Sequence, residues 1–126
     1  MKRALVTLAA GAMLAPSVSG TAEARSTDVR ATTACTRAST SKIKLAPDSG
    51  RIETEFEVDQ NRVGRRWNVT ISDNGVVVVR ATATTTAPSG SFTVRRLLAN
   101  RAGTDHIAAR ATNPATGESC TARASI

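Results

Sequence analysis

Residues 65–79 read RRWNVTISDNGVVVV and contain the single Trp of the chain. From Trp67 onwards apolar and polar side chains alternate, which is the period of a strand with one buried face. Asn74 and Gly75 follow at once, and because both tolerate a positive φ, the pair is a strong signal for a tight β-hairpin. The valines of 76–79 predict the second strand, since β-branched side chains suit a pleated surface. This stretch therefore predicts an antiparallel hairpin.

Short strands and turns recur along the rest of the chain, without a competing helical period after residue 25. Residues 51–59 alternate most clearly, with Phe56 and Val58 on one side and carboxylates on the other. The remaining strands are predicted at 34–37, 41–46, 91–99, 104–112 and 118–126. Regular short strands of this kind predict an all-β sandwich or barrel.

Three details of this pattern are specific expectations. Residues 25–33 are polar and rich in Ala and Thr, so they should form a lead-in outside the sheets. The valines of 76–79 should contribute to the core. The alternation of residues 91–99 breaks at Leu97, which predicts a β-bulge near Arg95 and Arg96.

Residues 1–24 have the features of a signal peptide. Lys2 and Arg3 precede an apolar run over 4–14, and Ala22-Glu23-Ala24 matches the cleavage pattern. The run is shorter than the about 20 residues needed to span a membrane, so an N-terminal anchor is the weaker alternative. We expect a secreted, extracellular chain with one domain over 25–126 and no transmembrane segment.

Cys35 and Cys120 are the only cysteines. An even pair in a secreted chain predicts a disulfide, which would join the first strand to the last. Closing so long a loop stabilises a domain by at most about 4–5 kcal/mol in loop-entropy models.

Segments 67–75, 88–94 and 111–120 resemble those of small secreted immunoglobulin-like and fibronectin-III-like proteins of actinobacteria, mostly of unassigned function. The resemblance implies an immunoglobulin-like antiparallel β-sandwich of seven to eight strands in a bacterial extracellular protein. It places Trp67 on the third strand, where immunoglobulin domains carry a buried Trp. Cys35 and Cys120 depart from the family pattern, because they fall on the first and last strands.

Catalytic and metal chemistry find little support in the sequence. His106 is the only His, and Asp105 beside it should point to the opposite face of a strand, so no acid–base pair is expected. A metal site needs several ligands, and the cysteines are committed to the disulfide. We therefore expect a protein that is not an enzyme and has neither a cofactor nor a metal.

Basic residues are the better candidates for binding, since the chain carries a net charge of +7. Four arginines should point outward from four strands of one sheet, and with the single His they form the candidate polyanion-binding set: Arg66, Arg80, Arg110, Arg123 and His106. Guanidinium groups bind phosphates and carboxylates in a bidentate manner. The alternative is that a high-GC genome alone produced the arginine bias.

The outward side chains of residues 51–59 include an acidic stripe, which consists of Glu53, Glu55, Glu57 and Asp59. We expect this stripe to form ion pairs with Arg95 and Arg96 of a neighbouring strand. Calcium binding by the stripe is the weaker hypothesis. The predicted function is a non-enzymatic binding or structural module of the cell exterior. Its partner would be an anionic envelope polymer or another secreted protein. Nucleic acid is disfavoured, because no aromatic side chain is expected to be exposed for stacking.

Loops 60–64, 84–90 and 100–103 offer a second place for binding. A rigid exposed loop is what a protease inhibitor needs, and a cleft between the sheets is what a small-molecule carrier needs. The alternative function is therefore a secreted protease inhibitor or small-molecule carrier.

Overall fold

The computed structural model describes residues 27–126, which form two antiparallel four-stranded sheets packed face to face. The strands are β1 (Val29–Ala34), β2 (Thr40–Asp48), β3 (Arg51–Asp59), β4 (Arg66–Asp73), β5 (Val76–Thr84), β6 (Ser91–Ala99), β7 (His106–Thr112) and β8 (Ser119–Ser125). The predicted all-β immunoglobulin-like sandwich is confirmed. The predicted signal peptide, 1–24, lies outside the described residues.

The first sheet has the order β1-β2-β3-β6 and the second has the order β5-β4-β7-β8. The chain passes to the second sheet after β3, returns to pair β6 with β3, and passes over again to pair β7 with β4. These crossings give neighbouring strands that are distant in sequence, as in other Greek-key sandwiches. Within residues 27–126, no helix is long and apolar enough to cross a membrane.

The core lies between the sheets and is built from the alternating side chains of both. Trp67 and Ile71 of β4 are fully buried, as are Phe56 and Val58 of β3. The Trp67 ring centroid is 6.3 Å from that of Phe92 on β6, so the lone indole packs against the opposite sheet. The predicted alternation of β3 and β4 is therefore confirmed.

The disulfide between Cys35 and Cys120 is present, as predicted. Cys35 directly follows β1 and Cys120 lies in β8, so the bond joins the edge strands of the two sheets. It spans 85 residues of sequence and connects the start of the described domain to its end.

The first strand differs from the prediction. It begins at Val29 and ends at Ala34, so part of the expected lead-in is a strand and most of the predicted strand 34–37 is a loop. Each residue of β1 is paired with β2, from Val29 opposite Leu45 to Ala34 opposite Thr40. The polar sequence did not indicate this strand, because a strand at a sheet edge can pair through its main chain without burying many apolar side chains.

The predicted burial of the valines is wrong for three of the four. Val76, Val77 and Val78 are 53%, 42% and 39% exposed, because β5 is the outer strand of its sheet and has only β4 beside it. A register shift between β4 and β5 also occurs here: Ile71 pairs with Val79 and Ser72 with Val77, which leaves Val78 as the extra residue of a bulge.

The bulge predicted near Arg95 and Arg96 does not exist. Strand β6 pairs with β3 without interruption, from Ser91 opposite Asp59 to Ala99 opposite Arg51. Leu97 is 51% exposed on the outer side, whereas Leu98 is buried. An apolar side chain in an outward position of an edge strand therefore produced the break in the pattern.

Candidate functional site

The outer face of the second sheet carries all five residues of the predicted binding set. Each of the four strands contributes one exposed arginine, and β7 also contributes the exposed histidine. We define the basic face by these residues: Arg66 on β4, Arg80 on β5, Arg110 and His106 on β7, and Arg123 on β8. The structure therefore places the set on one surface, as the strand parity predicted.

Strand register determines the spacing within the basic face. Thr70 of β4 is paired with Arg80 on one side and with Arg110 on the other. The two arginines thus lie in one row, two strands apart, which corresponds to about 10 Å between their backbones. Arg110 is opposite Thr121, so Arg123 is its diagonal neighbour at about 7–8 Å. These three arginines form the centre of the face.

The other two members lie at the ends of the face. Arg66 is four residues from Thr70 along β4, which corresponds to about 14 Å in an extended strand. His106 lies at the opposite end, where its Nδ1 is 2.8 Å from Oγ of Ser125. The basic face therefore runs along most of the length of the sheet.

No carboxylate accompanies these cations on the outer face of the four described strands. Two of the other outward positions hold apolar side chains, Val77 and Ala108. The rest hold hydroxyl or amide side chains: Asn68, Thr70, Ser72, Thr82, Thr84, Thr112, Ser119, Thr121 and Ser125. Asp73, at the end of β4, is buried. None of the four arginines forms an ion pair with a described residue.

The outer face of the first sheet carries charges of both signs, and some of them form ion pairs. Lys44 Nζ lies 3.8 Å from Oε2 of Glu55, and Arg95 contacts Glu53 and Glu55 of the acidic stripe. The predicted ion pairing of the stripe is confirmed for Arg95 but is wrong for Arg96. Arg96 points to the other side of β6, where its Nη1 donates to the carbonyl oxygen of Arg95 at 2.8 Å. The two faces of the sandwich thus differ in electrostatic character.

A shallow depression of about 420 Å³ lies on the basic face between β4 and β5. Its polar lining consists of Asn68, Thr70, Thr82 and Arg80. Hydroxyl and amide donors beside a guanidinium group can together bind the oxygen atoms of a phosphate or carboxylate.

His106 has a hydroxyl neighbour that the sequence analysis missed, because Ser125 is 19 residues away. A catalytic pair would also need a group that orients the imidazole. Asp105 is fully buried and points away from the outward-facing His106, as expected for adjacent strand residues. Among residues 27–126, no group of three or more His, Cys, Asp or Glu residues could hold a metal ion.

Comparisons of the chain with protein-family models, with curated proteins and with solved structures found no match. The resemblance to small secreted proteins of actinobacteria therefore stays a prediction.

Proposed function

We propose that this protein is a non-enzymatic binding module of the cell exterior that holds anionic polymers on its basic face. The observation that carries the proposal is the charge asymmetry of the sandwich. The outer positions of the second sheet hold four arginines and no carboxylate. On the first sheet, in contrast, Lys44 and Arg95 form ion pairs with Glu53 and Glu55. A sheet face that carries several cations and no carboxylate favours an anionic partner.

The spacing of the arginines suits a polymer with repeated charges. Arg110 stands about 10 Å from Arg80 and about 7–8 Å from Arg123 on the same sheet, so one extended chain can reach several of them. An exposed ion pair is worth little alone, but contacts made by one polymer add up, because the later contacts are intramolecular. Bidentate guanidinium contacts suit both phosphate and carboxylate groups. Anionic envelope polymers combine these properties.

Nucleic acid is a weaker candidate for the same face. Single strands gain much of their affinity by stacking bases on aromatic side chains. The three aromatic residues of the described chain, Phe56, Trp67 and Phe92, are buried in the core. The disulfide and the absence of a membrane-spanning helix in residues 27–126 are compatible with an extracellular protein.

Retention on immobilised heparin or cell-wall polymer, followed by salt elution, tests the proposal. The test variant is Arg80→Gln/Arg110→Gln/Arg123→Gln. The matched control, Arg30→Gln/Lys42→Gln/Arg51→Gln, removes the same charge from the first sheet. We expect the wild type to be retained at low salt and to elute as salt rises, because bound counterions are released on binding. The test variant should elute much earlier than the control.

Two results would overturn the proposal. The first is passage of the wild-type protein through the column at low salt. The second is equal loss of retention in the two triple variants, which would mean that net charge alone, and not the basic face, determines binding. Unchanged melting temperatures would show that both variants are folded.

A further inference from the structure

A second cationic site lies at the end of the sandwich near the disulfide. The loops β1–β2, β3–β4 and β7–β8 meet there around a cleft of about 330 Å³. Three exposed arginines line it: Arg37, Arg62 and Arg65. None of them forms an ion pair with a described residue. Because the three arginines come from two loops that are distant in sequence, the sequence pattern gave no sign of the cleft.

Hydrogen bonds from Thr85 hold the β3–β4 loop, which carries Arg62 and Arg65, in place. The buried Thr85 hydroxyl donates to the carbonyl oxygen of Arg62 at 2.5 Å and accepts from the amide of Arg65 at 2.9 Å. The Thr85 carbonyl oxygen accepts from the amide of Gly64 at 2.8 Å, and its amide donates to the Arg65 carbonyl oxygen at 2.9 Å. The backbone beside both arginines is therefore fixed before any ligand arrives.

Gly90 allows the β3–β4 loop, which carries Arg62 and Arg65, to pack closely against the β5–β6 connection. A Cβ atom at Gly90 would lie 2.3 Å from the backbone N of Arg62, a distance that real Cβ atoms essentially never show. The amide of Gln60 also donates to the carbonyl oxygen of Gly90 at 3.1 Å. The position of Arg62 thus depends on a glycine 28 residues later in the chain.

The carboxylate in the cleft supports a loop and leaves the arginine side chains free of ion pairs. Glu118 is only 3% exposed, and it accepts from the amides of Arg37 at 3.2 Å and Ser39 at 3.0 Å. It also accepts from the Ser39 hydroxyl at 2.8 Å. With three guanidinium groups and one carboxylate, the lining has a surplus of positive charge.

We propose that this cleft binds one compact dianion, a phosphate group, through Arg37, Arg62 and Arg65. Three cations that line one cleft repel one another, and a bound dianion reduces that repulsion. Fixed loops also lower the entropic penalty of binding. Guanidinium forks match phosphate oxygens, and the volume suffices for a phosphate with a small substituent. The proposal is independent of polymer binding on the basic face.

The single Trp provides a reporter for this cleft. The Trp67 Nε1–H donates to Oε1 of Gln60 at 2.9 Å, and Gln60 lines the cleft. Because the chain has one Trp, its indole N–H gives one cross-peak in a ¹H–¹⁵N spectrum. An anion in the cleft should shift that peak, whereas an anion at the centre of the basic face should not.

The experiment titrates the full protein with inorganic phosphate and, separately, with glycerol 1-phosphate, at constant ionic strength, with acetate as the control anion. We expect a saturable shift of the indole peak with a phosphate and none with acetate. Tighter binding of glycerol 1-phosphate would identify a phosphate monoester as the ligand, and equal or tighter binding of inorganic phosphate would identify the free ion. Affinity should fall about tenfold or more in Arg62→Gln/Arg65→Gln.

The control variant Arg30→Gln/Arg51→Gln removes the same charge from exposed positions of the first sheet and should bind phosphate in the cleft as the wild type does. The proposal is overturned if neither phosphate gives a saturable shift, if acetate produces the same shift, or if both double variants lose affinity equally. Because the test variant of the column experiment changes arginines of the basic face and not of the cleft, either proposal can fail while the other holds.

Discussion

The carboxyl groups of Asp73 and Asp105 lie against each other in the interior, with the residues 1% and 0% exposed. One oxygen of each, Oδ1 of Asp73 and Oδ2 of Asp105, has no hydrogen-bond partner among the described residues. Burial raises the pKa of Asp73, the hydrogen bond and charge of Asp105 raise it further, and Arg101 and His106 oppose the rise. A proton on Asp73 would relieve the repulsion between the two carboxyl groups, because two adjacent buried carboxylates repel each other.

This pair makes stability depend on pH in a defined direction. The folded pKa of Asp73 is above its unfolded value, so the folded state binds the proton more tightly. The resulting stabilisation is complete below the unfolded pKa and is lost as pH rises through the folded pKa. Urea unfolding across about pH 4 to 8 should show the wild type losing stability relative to Asp73→Asn as pH rises. A relative gain over that range would contradict the assignment.

The disulfide should contribute a large part of the stability. It joins the edge strands of the two sheets and closes a long loop. We expect Cys35→Ser/Cys120→Ser to lower the free energy of unfolding by about 2–5 kcal/mol. The measurement is urea denaturation, with and without a reductant. The reductant should destabilise the wild type and leave the variant unchanged; an effect on both would point to another cause.

Gly90 should be the glycine least tolerant of a side chain. Gly90→Ala places a methyl group against the backbone of Arg62, and the overpacking should lower stability by about 1–3 kcal/mol beyond the strain of a positive φ. Gly103→Ala is the matched control, because Gly103 has a similar φ of +79° with nothing within 4 Å. Chemical denaturation compares the two variants. Equal losses of stability would mean that the close contact is unimportant.

Valines of β4 and β5 should differ sharply in their contribution to stability. Val69 is 1% exposed between the sheets, so Val69→Thr buries a hydroxyl and should lower stability by about 1–3 kcal/mol. Val77 lies on the exposed side of an edge strand, and Val77→Thr should change stability by no more than about 0.5 kcal/mol. Thermal or urea unfolding measures both. A large loss in Val77→Thr would mean that β5 is covered in solution.

Some parts of the basic face were predictable from sequence and others were not. Alternation within each strand indicates which side chains point away from the core, so the outward direction of Arg66, Arg80, Arg110 and Arg123 followed from local pattern. The row that joins Arg80 to Arg110 through Thr70 depends on β4 lying between β5 and β7. Sheet order of this kind is decided by pairing between distant segments, which a local pattern does not contain.

Incorrect predictions have the same physical origin. The valines after Gly75 have a high strand propensity, and they do form a strand, but their burial depends on β5 lying at a sheet edge. Strand β1 escaped prediction because its main chain is paired while most of its side chains face solvent.

The amino-acid sequence by itself determined the strand periods, the hairpin turn at Asn74-Gly75 and the cysteine pair, because these depend on side-chain alternation, allowed φ values and residue type. Only the tertiary structure decided which strands became edges, that Asp73 meets Asp105, and that Arg37 joins Arg62 and Arg65 around one cleft. Those relationships arise when two sheets pack together, since packing brings residues from distant loops and strands within reach of one another.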